Sequence, residues 1–166
     1  SFSSCQDCED TNTCDCVSAE EITDLSYFQT NRTLSDICPN GVDYIIATDH
    51  IYEVTAALTI EAGVNIQFVD GAGLTIEETG SINAIGNGTS PIVLQGTNAT
   101  ATGAWRGIII YSDKTANALN YVTIKGAGGA EFNSNGERGN LVLYADSKVH
   151  RHAFWPINIQ QTQYQP

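Results

Sequence analysis

Between Tyr52 and Tyr111 the chain keeps returning to one short phrase: aliphatic residues alternating with Thr or Glu, closed by a turn residue. Leu58-Thr59-Ile60-Glu61 comes back as Leu74-Thr75-Ile76-Glu77, and each copy follows a pair of small residues. No helix-length pattern intervenes. Period-two alternation over so few residues specifies strands. Units this short cannot bury a hydrophobic face alone, so they must stack on further copies. The repeat therefore restricts the chain to a solenoid of short strands.

Read this way, the strands fall into two alternating sets. One holds Val64–Phe68, Ser81–Ile85, Gly107–Tyr111 and Asn140–Tyr144, and the other Leu58–Ile60, Leu74–Ile76, Ile92–Leu94 and Val122–Ile124. Spacing within a set starts at 16 to 18 residues and widens where Gly/Asn/Thr-rich inserts fall, at 96–104 and 126–139. A constant strand core with variable corners describes a parallel β-solenoid, whose coils stack about 4.8 Å apart. About five coils would stand roughly 24 Å tall. The expected inward ladder is Leu58/Ile60, Leu74/Ile76, Ile92/Leu94, Val122/Ile124 and Leu141/Leu143. Thr59, Thr75 and Thr123 would then line up outside, interrupted by Val93 and Val142.

The segments YEVTAALTIEAGVNI, GSINAIGNGTSPIVL, AWRGIIIYSD and ALNYVTIKGAGG resemble a broad group of secreted or surface-anchored bacterial proteins with right-handed parallel β-helix repeats. In that group a GxLxAxGTxxxPIxF segment and a WxGIxxY segment mark successive coils. The resemblance covers about residues 50–149. It implies an all-β, right-handed parallel β-helix and no particular activity. It does not extend to the Cys-rich head or to the final HRHAFWPINIQQTQYQP.

The expected organisation is thus a Cys-rich arm with a short capping helix (1–43), the β-helix (44–149) and an extended tail (150–166). The helix rests on AEEITDLSYF, where Ser18 and Glu21 fit a capping box and Ile22, Leu25 and Phe28 share a face. Packed on the first coil, it would cover open strand edges. In the tail, Ile157 and Ile159 alternate with Asn158 and Gln160 as in a strand able to pair with an open edge. Trp155 is a further anchor. A chain that opens on Ser1 and holds no Met reads as a processed form or a fragment.

Charge narrows the partners. Seven Lys and Arg against 19 Asp and Glu give a net charge of −12, which is unsuited to nucleic acid and to anionic lipid. No apolar run approaches the ~18 residues of a membrane span. All five cysteines, Cys5, Cys8, Cys14, Cys16 and Cys38, lie in the first quarter. In such acidic, Thr/Asn-rich surroundings they point to disulfides rather than zinc. An odd count leaves one thiol over. Extracellular or cell-surface location follows from the same features.

No catalytic motif stands out. Arg106, Lys125 and Arg138 are the cations that neighbouring coils could bring together for polysaccharide cleavage. Asp70, Asp113 and Asp146 sit in turns with no visible clustering, so no catalytic residue or cofactor is assigned and the chain is read as a non-enzyme. Asp7, Glu9, Asp10 and Asp15 could hold Ca²⁺ but lack a recognised loop spacing. His150 and His152 form a potential metal edge. Trp105 beside Arg106 suggests a cation–π pair. Asn31, Asn87 and Asn98 head Asn-x-Thr glycosylation patterns. The expected function is an extracellular structural subunit that assembles with copies of itself, head to tail, into a fibre, with Cys5 or Cys38 as a covalent lock. The alternatives are a surface adhesin that presents its inserts to glycans, and a polysaccharide lyase or hydrolase.

Overall fold

The computed structural model describes residues 18–98 and 100–144, together with the backbone of 158–160 and 163–165. Three sheets make up the fold. Sheet A contains β1 (Glu20–Ile22), β3 (Tyr44–Ile46), β6 (Asn65–Phe68), β9 (Ile92–Gly96), β12 (Val122–Lys125) and β15 (Gln163–Gln165). Sheet B contains β2 (Arg32–Leu34), β5 (Ala57–Ile60), β8 (Ser81–Ile85), β11 (Ala118–Asn120) and β14 (Asn158–Gln160). Sheet C contains β4 (Ile51–Val54), β7 (Gly73–Ile76), β10 (Gly107–Ile110) and β13 (Leu141–Leu143). Every strand pairing among them is parallel. The chain visits A, then C, then B, and begins again, which is the path of a parallel β-helix.

Three strands per coil replace the two expected sets. Leu58 is in register with Ile82, not with Leu74; Leu74 pairs with Tyr52 and Ile108. The two LTIE copies are neighbouring faces of the solenoid rather than the same face one coil on. Their inward residues behave as expected: Leu58, Ile60, Leu74 and Ile76 are all buried. The Thr ladder does not form, because Thr59, Thr75 and Thr123 belong to sheets B, C and A. Thr59 stands between Thr33 and Asn83 instead.

The short helix expected at the N-terminal end is also replaced. Glu20–Ile22 is a strand paired with Tyr44–Ile46, and Tyr27–Gln29 is a single 3₁₀ turn. Ile22-Thr23 is a β-branched pair that favours extended backbone. Asp24 then accepts hydrogen bonds from Ser26 N and Oγ (2.9 and 2.8 Å), a local turn that competes with helix. The 3₁₀ turn occupies the place of a sheet C strand in the first coil. Its Phe28 is buried and meets the Tyr52 ring of β4 at 6.1 Å. Residues 20–34 therefore already lie within the solenoid, as do the tail strands β14 and β15.

The core is one continuous column of aliphatic and aromatic side chains. Where the chain turns corners, buried polar side chains bond the backbone. Asn117 accepts from Ile82 N (2.9 Å) and donates to Ser112 O and Oγ, and Ser112 Oγ donates to Gly80 O (2.7 Å). Among the described residues no helix is long and apolar enough to cross a membrane.

Gly107, at the start of β10, has φ +103°, and a Cβ there would lie 2.1 Å from Gly139 O. Gly107→Ala combines a backbone that L-residues rarely adopt with a clash against main chain. It is expected to cost roughly 3 kcal/mol of stability, measurable by urea denaturation.

Candidate functional site

Sheet C carries the site on its outer face. Tyr52 and Val54 point into the core, so Glu53 and Thr55 point out; the same alternation sends Thr75 and Glu77 outward from the next strand. The ladder continues past the strand ends. Glu77 N donates to Val54 O (3.0 Å), Tyr111 N to Ile76 O (2.9 Å) and Tyr144 N to Ile110 O (3.0 Å). Thr55, Glu77, Tyr111 and Tyr144 thus form one outward row across four coils. The rings of Tyr111 and Tyr144 meet edge to face, with centroids 4.9 Å apart.

The insert at 126–139 folds over this face as a strap. Phe132, only 8% exposed, lies against Gly73, where a side chain would collide with Arg106 and press on the Phe132 ring. Arg106 Nε donates to Gly71 O (2.7 Å) and its Nη1 to Glu131 O, which holds the strap to the coil below. Arg138 pairs with the Glu131 carboxylate at 2.8 Å, with both partners about half exposed, 53% and 47%. Such a pair contributes little by itself. Asn133 Nδ2 donates to Tyr111 Oη (2.9 Å) and to Glu137 Oε2.

Between strap and sheet lies an open groove of about 590 Å³. Glu53, Thr55, Glu77, Tyr111 and Tyr144 form its floor, with Glu78 and Thr79 at one rim and Asn133 and Asn135 at the other. Burial pushes the Glu77 carboxyl above its ordinary pKa, and the neighbouring charges of Glu53 and Glu78 add to the shift. The Tyr111 phenol is raised too, mainly by burial, against the pull of its bond from Asn133. A carboxyl whose pKa is raised on folding takes up its proton in the native state first, so its contribution to stability falls as pH rises through the folded pKa. Glu77→Gln should therefore raise the melting temperature at pH 7. That gain should shrink as both proteins are taken down through the carboxylate range. Equal or lower stability of the variant at pH 7 would mean that Glu77 has a favourable partner.

The residues singled out by sequence are dispersed. Arg106 and Arg138 share Glu131, the first on its backbone carbonyl and the second on its carboxylate; Lys125 lies on sheet A, where its carbonyl accepts Trp105 Nε1 (2.9 Å). Trp105 stacks on Phe68 (4.0 Å), and the cation–π contact among the described residues is Arg32 over Tyr27 (4.2 Å). Cys38 is a free, buried thiol packed at Gly41. Cys5, Cys8, Cys14 and Cys16 lie outside the described residues. So do the acidic head residues considered for Ca²⁺, His150, His152, Trp155 and Ile157. Ile159 aligns by its backbone with Leu119. Among the described residues no group of three or more His, Cys, Asp or Glu is placed to hold a metal ion.

Asn31, Asn87 and Asn98 are all exposed. Asn31 Oδ1 accepts from Ala57 N (3.1 Å), and Asn87 and Asn98 accept from the hydroxyls of Thr89 (2.8 Å) and Thr100 (3.0 Å). The groove residues themselves were not singled out from sequence. A signal existed: three aliphatics followed by Tyr-x-Asp occur as IIIYSD and again as LVLYAD, which sets the two tyrosines in one row.

Parallel strands in three sheets define a β-helix domain, here with an open groove on one outer face. The family model of a pectate-lyase-like β-helix domain matches residues 31–145, and the chain belongs to that family. No curated protein and no solved structure matches the chain.

Proposed function

We propose that the protein is an extracellular or cell-surface β-solenoid that binds a saccharide chain in the sheet C groove. The observation that carries this is the Tyr111–Tyr144 pair on the groove floor, with Asn133 and Asn135 in the lining beside it. Sugar rings present C–H faces to aromatic rings and hydroxyls to amides, so this combination suits them. The volume falls within the ~300–1,000 Å³ typical of ligand sites. The strap that supplies the amides is the 126–139 insert, one of the two loops expected to meet a glycan.

Cleavage of an acidic polysaccharide gains no support from the groove. Its described lining contains three carboxylates and no Lys or Arg, a poor match for a polyanion. The fibre reading loses its free strand, because the backbone of β14 and β15 pairs with β11 and β12 of the same chain. Fibres in negative-stain electron microscopy that disperse under reductant would restore it. The groove reading is tested on a glycan array followed by titration calorimetry. Tyr144→Ala should weaken the best ligand about tenfold, as expected for loss of one aromatic contact of ~1.4 kcal/mol, with the melting temperature nearly unchanged. A blank array at millimolar protein would overturn it.

A further inference from the structure

The charge of the groove selects among saccharides, and this step rests on the saccharide reading above. Glu53 lies in β4, Glu77 directly follows the adjacent strand β7, and Glu78 is next in the turn. Among the described residues no Lys or Arg lines the groove, although Lys114 reaches its rim at Thr79. Arg106 spans Gly71 O and Glu131 O, Arg138 is on Glu131, and Lys114 Nζ donates to Thr79 O. Bonds to neutral carbonyls leave the charges of Arg106 and Lys114 in place, but the charges that act on Glu77 are those of Glu53 and Glu78, which repel it. That repulsion is part of what raises Glu77. Two tyrosine rings beside the carboxylates add their negative faces to the field.

We propose that the occupant is a chain of deacetylated 2-amino sugars. Its ring-borne ammonium groups would sit at Glu53 and Glu77, its pyranose faces on Tyr144, and its hydroxyls at Asn135 and Thr79. Amino sugars combine the two features that the groove asks for together, a hydroxylated ring and a cation attached to it. The N-acetylated form offers the ring without the charge. A polyuronate offers the ring with the wrong charge, and a basic peptide offers the charge without the ring. Strands stack about 4.8 Å apart, close to the advance of one 1,4-linked pyranose, so successive sugars can meet successive coils. The overall charge of −12 steers such a ligand inward.

The test is titration calorimetry of the full chain at pH 6 and low salt. The ligands are a glucosamine hexamer, its fully N-acetylated counterpart, a galacturonate hexamer and hexalysine. The glucosamine hexamer should bind at least tenfold tighter than the acetylated one, and the galacturonate hexamer should not bind. Glu53→Gln and Glu77→Gln should each weaken the glucosamine hexamer about tenfold, one ion pair of ~1.4 kcal/mol, and leave the acetylated hexamer unmoved. Glu61→Gln, an exposed carboxylate on the sheet B side of the coil, controls for net charge and should change nothing. Equal binding of glucosamine and acetylated hexamers would overturn the amino-sugar assignment and leave the saccharide groove standing. Hexalysine binding as tightly, with the same sensitivity to Glu77→Gln, would make the groove a general cation site and also overturn it. Failure of every oligosaccharide to bind would remove both readings.

Discussion

Asp43→Ala should destabilise the protein by about 3–5 kcal/mol, although it removes only three heavy atoms. The Asp43 side chain is fully buried and accepts three backbone N–H bonds. Oδ1 takes Ile37 N (2.8 Å) and Cys38 N (2.6 Å), and Oδ2 takes Asn65 N (2.7 Å). Burial pushes its pKa above the ordinary carboxylate value, and the three bonds pull it back. Alanine would leave those donors with nothing to meet, at roughly 1–3 kcal/mol for each that stays dry. The loss also spans two coils, since the 37–38 corner belongs to one turn of the solenoid and Asn65 to the next. Asp43→Asn keeps one acceptor oxygen but points its amide N–H₂ at a backbone N–H. It should cost about 2 kcal/mol, less than alanine and far more than an isosteric change at an exposed site. Urea denaturation of the three proteins measures both steps. An Asp43→Asn protein as stable as the parent would mean that water or a rearranged corner satisfies the donors.

The solenoid was legible because its constraint is local. An inward aliphatic every second residue and a turn every few residues leave few alternatives to stacked short strands. The coil itself was not legible, because equal-looking strands on different faces mimic a repeat. Leu58-Thr59-Ile60 and Leu74-Thr75-Ile76 are alike since each needs two inward side chains, whichever sheet it enters. The true column Tyr44, Ile66, Leu94, Ile124 advances by 22, 28 and 30 residues. Inserts at the corners stretch that period until it no longer reads as one. Glu20–Ile22 and Arg32–Leu34 were missed for a related reason. A three-residue strand carries too little pattern to outweigh a capping box and an i, i+3 apolar face, and only pairing with the next coil decides its state.

The groove was still less legible, because it depends on residues that meet only through the coil count. Tyr111 and Tyr144 are 33 residues apart, and Glu77 another 34 before them. None is unusual in its own segment. The 126–139 insert looked like a loop whose function was display. Its Phe132 and its bonds to Arg106 and Tyr111 instead make it a wall. The proposed electrostatic selection rests on the carboxylates beneath that wall, since among the described residues no Lys or Arg lines the groove.

Trp105→Ala should be the most damaging single substitution in the core, at about 3–5 kcal/mol. In sheet A the inward column runs Ile22, Ile46, Phe68 and then Gly96, where the side chain is missing. Trp105 fills that vacancy from the following corner. It is fully buried, its ring lies 4.0 Å from that of Phe68 at 16°, and its Cδ1 would be 3.5 Å from a Cβ on Gly96. Its Nε1 also donates to Lys125 O one coil further on. Alanine would open a void with no neighbour able to fill it and would strip a bond from the end of β12. Trp105→Phe keeps the stacked ring and loses the N–H, so it should cost roughly 1–2 kcal/mol. Each coil rests only on the coils beside it. Hydrogen exchange should therefore accelerate most between residues 92 and 125, and little at Ile22 or Tyr44. Uniform acceleration along the chain would mean that the solenoid unfolds as a single cooperative unit, with Trp105 contributing to all of it.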